Sequence, residues 1–96
     1  MKTYEAVVIF TNDENPYREA REFVKKEFET AGIVITKEED MGEKLLAYPI
    51  RKHDRGRYVL YHIEGTAESL KTVSRTLKLR AEVLKLLITR QEAQVR

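Results

Sequence analysis

Gly42-Glu43-Lys44-Leu45-Leu46-Ala47-Tyr48-Pro49-Ile50-Arg51 is the stretch on which the fold of this chain turns. It joins an apolar, strand-like run to a proline inside that run and a basic residue at its end. Pro49 has no N–H to give to a ladder, so the strand through Leu46 to Ile50 belongs at a sheet edge or ends there. Upstream, Ile33 to Thr36 begins the same strand. The acidic stretch Glu38-Glu39-Asp40 and Gly42 interrupt it, which predicts a bulge or a hairpin-like bend. Downstream, His53-Asp54-Arg55-Gly56 reads as the turn into a third strand, Arg57 to Glu64.

Working outward, Thr3 to Phe10 is rich in β-branched and aromatic residues and stops at the turn-forming cluster Thr11-Asn12-Asp13, so it reads as the first strand. Asn15-Pro16 suits an N-cap followed by proline at the first helical position, and the helix it starts runs to Gly32. Ala20, Phe23, Val24, Phe28 and Ala31 fall on one stripe of that helix. Gly65-Thr66 caps a second helix with Leu70, Val73 and Leu77 on its buried side, and Val83 to Arg90 makes the last strand. The order β-α-β-β-α-β predicts an α+β, ferredoxin-like split βαβ fold, a four-stranded antiparallel sheet with two helices on one face. Residues 1–90 form this single domain, and 91–96 are a short polar tail.

Period-two alternation assigns the faces. Tyr4, Ala6, Val8, Phe10, Val59, Tyr61, Ile63, Leu84, Leu86 and Ile88 are expected against the helices. Glu5, Val7, Ile9, Tyr58, Leu60, His62, Lys85, Leu87 and Thr89 are expected on the opposite face. That second set is apolar enough to suggest a partner surface, with Val7, Ile9, Tyr58, Leu60 and Leu87 as its candidates.

Composition narrows the function classes. A chain of 96 residues fits one small domain. It holds no cysteine, which removes disulfides, thiolate metal sites and a thiol nucleophile. No apolar run approaches the roughly 20 residues that span a bilayer, and Met1-Lys2-Thr3-Tyr4-Glu5 lacks the apolar core of a signal peptide, so a soluble cytoplasmic protein is expected. The formal net charge is only +2, yet residues 13–43 carry ten acids against five bases, while 71–90 carry six bases against one acid. Such asymmetry suits an anionic partner, although a charge-rich surface also produces it.

Catalytic apparatus is not visible. The two histidines, His53 and His62, are separated by a turn and most of a strand, and the three adjacent acids lack calcium-loop spacing. His53-Asp54 has no nucleophile beside it, and the four glycines sit at element ends and form no phosphate loop. No enzyme, metal or cofactor is expected. Nucleic-acid binding asks for less, namely well-placed cations. Arg51, Lys52, Arg55 and Arg57 surround one turn, and Lys78, Arg80 and Lys85 bracket the junction before the last strand. Because strands two and four should lie at opposite edges, these groups need not coincide in space, and two separate contacts are as open as one stripe. Lys78 and Arg80 also suit a helix C-terminus without any RNA. The RNA-recognition motif shares the element order, but Arg57, Tyr58 and Val59 fail its third-strand aromatic pattern, so base stacking on the open sheet is not expected. Tyr48 is expected in the core or at the sheet edge.

Glycine, a basic residue two places on, Leu46-Ala47-Tyr48-x-Ile50 and a following basic residue together resemble the signature of the bacterial small-subunit (30S) ribosomal protein S-six family. Tyr4-Glu5, Gly56-Arg57-Tyr58-Val59-Leu60-Tyr61 and Leu79 to Lys85 extend the resemblance over nearly the whole chain. Leu45 departs from it, since the family usually has a polar residue there, and Leu84 stands where some relatives carry a base. The resemblance implies a structural constituent of the 30S subunit that binds 16S ribosomal RNA in its central domain, in a heterodimer with ribosomal protein S-eighteen. It further implies Lys2, Arg51, Lys78, Arg80, Lys85 and Arg90 as the RNA-binding residues. Two alternatives stand beside it: a ligand-sensing or self-associating ferredoxin-like module without RNA binding, and a free-standing binder of single-stranded RNA.

Overall fold

A computed structural model describes residues 2–90, with side chains throughout that span except those of Glu14 and Arg90. The expected tail, 91–96, lies outside the described residues. The elements are β1 (Lys2–Phe10), α1 (Glu14–Thr30), β2 (Val34–Ile50), β3 (His53–Gly65), α2 (Ala67–Lys78) and β4 (Val83–Arg90). They form one four-stranded antiparallel sheet in the order β2-β3-β1-β4, so β2 and β4 are its edges as Pro49 requires.

The alternation of β1 and β3 sends Tyr4, Ala6, Val8, Phe10, Val59, Tyr61 and Ile63 to the helix face. There they pack with Tyr17, Ala20, Val24 and Phe28 of α1 and Leu70, Val73 and Leu77 of α2. Leu86 and Ile88 join them from β4. Leu84 does not, and the expectation is corrected. Ile9 pairs with Lys85 but Phe10 pairs with Val83, so Leu84 is an extra residue that moves the parity by one. Val83 takes the place in the core, and Leu84 turns to the opposite face.

Two boundaries also differ from the sequence reading. The first helix begins earlier, with Asp13 as N-cap, which places Pro16 third in the helix. The position is tolerated because the first-turn N–H groups have no intrahelical acceptor to lose. In this first turn Tyr17 lies edge-on to Phe10, with ring centres 5.4 Å apart. The hairpin turn between β2 and β3 is not His53–Gly56 but Arg51-Lys52, since Ile50 already pairs with His53. Its two residues have φ of 50° and 70°, the positive values that a two-residue type I′ turn needs.

The acidic interruption of β2 is a bulge, as expected. Asp40 pairs with Val59 and Gly42 with Tyr58, leaving Met41 over. Gly42 has φ of 83°, and its N–H donates to Asp40 Oδ1 at 2.8 Å. Glu38 and Asp40 of the acidic stretch face α1. Arg21 Nε donates to Glu38 at 2.6 Å, Arg21 also donates to the Tyr17 hydroxyl at 2.7 Å, and that hydroxyl donates to Asp40 at 3.0 Å. Burial pushes the Asp40 carboxyl up, but the Gly42 N–H, the Tyr17 hydroxyl and the Arg21 and Arg57 guanidiniums outweigh it and hold the group below its ordinary value. A carboxyl depressed on folding contributes stability that is complete above its unfolded pKa, about 4, and fades as pH falls through the lower folded value. Urea melts at a series of acid pH values should therefore show a stability slope that Asp40→Asn makes shallower. An unchanged slope in the variant would mean the carboxylate is uncoupled from folding.

Candidate nucleic-acid interface

The outer half of the β2–β3 hairpin, Leu45 to Arg55, does not stay in the plane of the sheet. Leu45 pairs with Arg55 and the next pair is Ile50 with His53, so residues 46–49 buckle out against a single opposing residue, Asp54. Leu46 turns inward and packs with Ile9 and Leu84, joined by Ile50 and Tyr58, in a small second core on the face away from the helices. Gly56 lets the arm lie this close. A Cβ there would come within 2.6 Å of Ile9 Cγ2 and 3.1 Å of the Phe10 carbonyl oxygen.

This packing corrects the expected partner face. Ile9 is only 5 % exposed, covered by the chain's own arm, and is withdrawn from the candidate surface. Tyr58 is half-buried at the border of the same cluster. Leu60, Val7 and Leu87 remain as one cross-strand row over β3, β1 and β4, with Leu87 49 % exposed. Both helices lie on the other face, so neither covers this row. Beyond the row sits His62 with Nε2 3.2 Å from Glu39 and Nδ1 3.6 Å from Glu5.

The arm also brings basic residues together from opposite edges of the sheet, a grouping the sequence left open. Arg51 at the turn donates to the Ala81 carbonyl at 3.3 Å, and Lys85 of β4 donates to the Tyr48 hydroxyl at 3.2 Å. Arg51, Lys78 and Lys85 line one cleft of about 340 Å³, floored by Val83, Leu84 and Leu86. Among the described residues none of the three cations meets a carboxylate, which leaves their charge available to an anion. Lys78 also stands in the last turn of α2, where the helix dipole favours a cation.

Lys52, the second residue of the turn, is exposed, whereas the other two basic residues near it are occupied elsewhere. Arg55 pairs with Glu43 at 3.1 Å, and the Arg57 guanidinium lies 4.5 Å from the centre of the Tyr17 ring on the helix face. Arg80 points away from the cleft. Its guanidinium stacks 4.4 Å from the centre of the Phe23 ring and lies 3.3 Å from Glu82, so it braces the turn between α2 and β4. Lys2 is exposed and pairs across the sheet with Gly65. Arg90, whose backbone pairs with Tyr4, is at that same end of the sheet. From Ile9 to Tyr4 the strand covers about 17 Å at about 3.4 Å per residue, so the six candidate residues divide between two ends of the sheet.

Two exposed apolar side chains flank the cleft in ways the sequence did not disclose. Tyr48, expected in the core or at the edge, is 59 % exposed, and Leu79 after α2 is 86 % exposed. Alternating polarity gives no hint of Tyr48, because its exposure follows from the buckling of residues 46–49.

Comparison with known proteins agrees with this architecture. The profile of the family described as Ribosomal protein S6 matches residues 3–90. "Small ribosomal subunit protein bS6" of Treponema pallidum (strain Nichols) is 30% identical over 93 residues, covering 97% of this chain and 100% of the relative. The protein of the same description from Borrelia duttonii (strain Ly) is 35% identical over 88 residues, and the match spans 92% of this chain but 66% of that longer protein. The crystal structure of 30S ribosomal protein S6 from Thermotoga maritima superposes with a TM-score of 0.85 at 25% identity, covering 94% of this chain and 87% of that one. The C-terminal domain of the MgtC protein from Mycobacterium tuberculosis also superposes, with a TM-score of 0.67 at 15% identity over 100% of this chain and 95% of that one. That second likeness concerns the fold alone, which many functions share. The matched profile and the full-length relative carry the assignment: the chain belongs to the ribosomal protein S6 family, the S-six proteins of the bacterial small ribosomal subunit in the cytoplasm.

Proposed function

We propose that this chain is a structural constituent of the 30S subunit that binds 16S ribosomal RNA in its central domain together with ribosomal protein S-eighteen, without catalysing a reaction. The observation that carries the reading is the cleft in which Arg51 of the hairpin turn, Lys78 of α2 and Lys85 of β4 converge with no carboxylate among the described residues to neutralise them. Their role is phosphate neutralisation, which releases counterions and makes binding salt-dependent. Lys2 and Arg90 would make a second phosphate contact at the far end of the sheet. Arg80 has the smaller part, since its guanidinium is committed to Phe23 and Glu82. The uncovered row Leu60–Val7–Leu87, bordered by Tyr58, is the surface offered to S-eighteen. Burying apolar area there joins two weak RNA binders into one composite surface.

Lys85→Ala tests the reading. Assembly with 16S ribosomal RNA and S-eighteen should weaken, and the slope of log affinity against log salt should shrink by about 0.9 if the lost contact is to a duplex phosphate. The thermal melt of the isolated protein should stay close to wild type, because among the described residues the Lys85 ammonium bonds to the exposed Tyr48 alone. Equal affinities at every salt concentration would remove Lys85 from the interface. Analytical ultracentrifugation of the protein alone addresses the self-associating alternative, which requires a mass that rises with concentration in the absence of RNA.

A further inference from the structure

We infer that Tyr48 is a stacking platform for an unpaired nucleobase, so that this end of the protein reads a looped or bulged nucleotide and not only the charge of a helix backbone. The inference deepens the RNA-binding reading above and rests on it. Four observations point to it.

Tyr48 is 59 % exposed although it lies in a strand whose neighbours Leu46 and Ile50 turn into the small second core. Pro49 follows it and fixes the local backbone, which limits the freedom of the ring's attachment. The Lys85 ammonium is 3.2 Å from the hydroxyl oxygen and 5.6 Å from the ring centre. With those two distances the hydroxyl stands nearly between the ring and the ammonium. Lys85 therefore holds the ring by its polar end, close to the ring plane, and leaves the aromatic faces uncovered by itself. Finally, the phosphate-binding cations are next to the ring, Lys85 by direct contact and Arg51 three residues along the arm.

An aromatic face beside a cluster of cations is the combination that unpaired nucleotides occupy, the base on the ring and its phosphate on the ammonium or guanidinium. A regular A-form duplex offers no such base, because its bases are stacked on one another and its major groove is too deep and narrow for side chains. An apolar protein partner would make less of the site, since the adjoining cations would be left in the contact without counter-charges. The ring belongs to the arm and not to the third strand, whose pattern lacks the aromatics that stack bases in other proteins of this element order.

The experiment uses small subunits reconstituted from 16S ribosomal RNA and the other small-subunit proteins, with the full-length wild type, Tyr48→Leu or Tyr48→Phe added. Hydroxyl-radical cleavage reads backbone protection, and 2′-hydroxyl acylation reads the ordering of unpaired nucleotides. Wild type should protect a stretch of backbone and quiet at least one unpaired nucleotide within or beside it. Tyr48→Leu should keep the backbone protection, restore the acylation of that nucleotide to its level in subunits lacking the protein, and bind roughly ten-fold more weakly. Tyr48→Phe keeps the ring and should behave as wild type in the acylation pattern. Identical acylation patterns for wild type and Tyr48→Leu, with backbone protection present in both, would overturn the stacking inference alone. Absence of backbone protection by wild type would overturn the RNA-binding reading and the inference with it.

Discussion

Gly56→Val is expected to lower the melting temperature by roughly 10–20 °C, a larger loss than a surface glycine between two charged residues would suggest. A Cβ at this position meets Ile9 Cγ2 at 2.6 Å, the Phe10 carbonyl at 3.1 Å and Leu84 Cδ1 at 3.6 Å. Ile9 cannot yield easily, because Leu46 and Leu84 hold it at 5 % exposure, and the carbonyl belongs to the β1 backbone. Overpacking of this kind costs about 1–3 kcal/mol for added methylenes, and valine adds two methyl groups beyond the clashing Cβ. For a domain of this size each kcal/mol moves the midpoint by about 4–8 °C. The graded variant Gly56→Ala should fall between wild type and valine. Circular-dichroism melts read both, and a valine variant melting within a degree or two of wild type would show that the arm is not packed on β1. The functional consequence exceeds the thermal one. With the arm lifted, Arg51 leaves Ala81 and Tyr48 leaves Lys85, so the cleft loses a wall and RNA assembly should weaken even at temperatures where the domain is folded.

The same glycine shows where reading the sequence succeeds and where it stops. Gly56 resembles a turn glycine, and the residues that make the turn, Arg51 and Lys52, carry none of the glycine or asparagine that normally marks positive φ. The true reason for the glycine is a contact with residues more than forty places earlier in the chain. Element order, the two edges and the β2 bulge were legible, because Pro49, the acidic run and the period-two alternation of β1 and β3 are local signals. Leu84 was misassigned for the converse reason: one extra residue opposite the Ile9–Phe10 step inverts every parity count made beyond it. The candidate cations were named from sequence and family resemblance, but their grouping was not legible. Nothing local to Arg51 says that the arm curls over the sheet to meet β4, and nothing local to Arg80 says that Phe23 will be beneath it. Ile9 was counted as open for lack of the same information, since its cover, Leu46, arrives from the far edge.

The hairpin tip itself sets stability against binding, and Arg51→Asn with Lys52→Gly should separate them. Both residues hold φ values that disfavour a side chain with a Cβ, and asparagine and glycine are the pair that a type I′ turn prefers. Relieving the strain should stabilise the isolated protein by about 1–2 kcal/mol, since the left-handed conformation costs an ordinary residue about that much. The hydrogen bond from Arg51 to the Ala81 carbonyl is lost, but it is exposed and 3.3 Å long, so it offsets only part of the gain. Binding should move the other way. Removing two cations from the tip should reduce the salt slope of RNA assembly by about 1.8 if both meet duplex phosphates, or about 1.4 if both meet single-stranded ones. Urea melts and filter binding over a range of salt measure the two effects on one protein. A variant both more stable and fully competent in assembly would show that the strained, basic turn serves neither phosphate nor partner. A variant more stable and weaker in binding would identify the strain as the cost of placing two positive charges at the tip of the arm, where a more relaxed turn would have placed none.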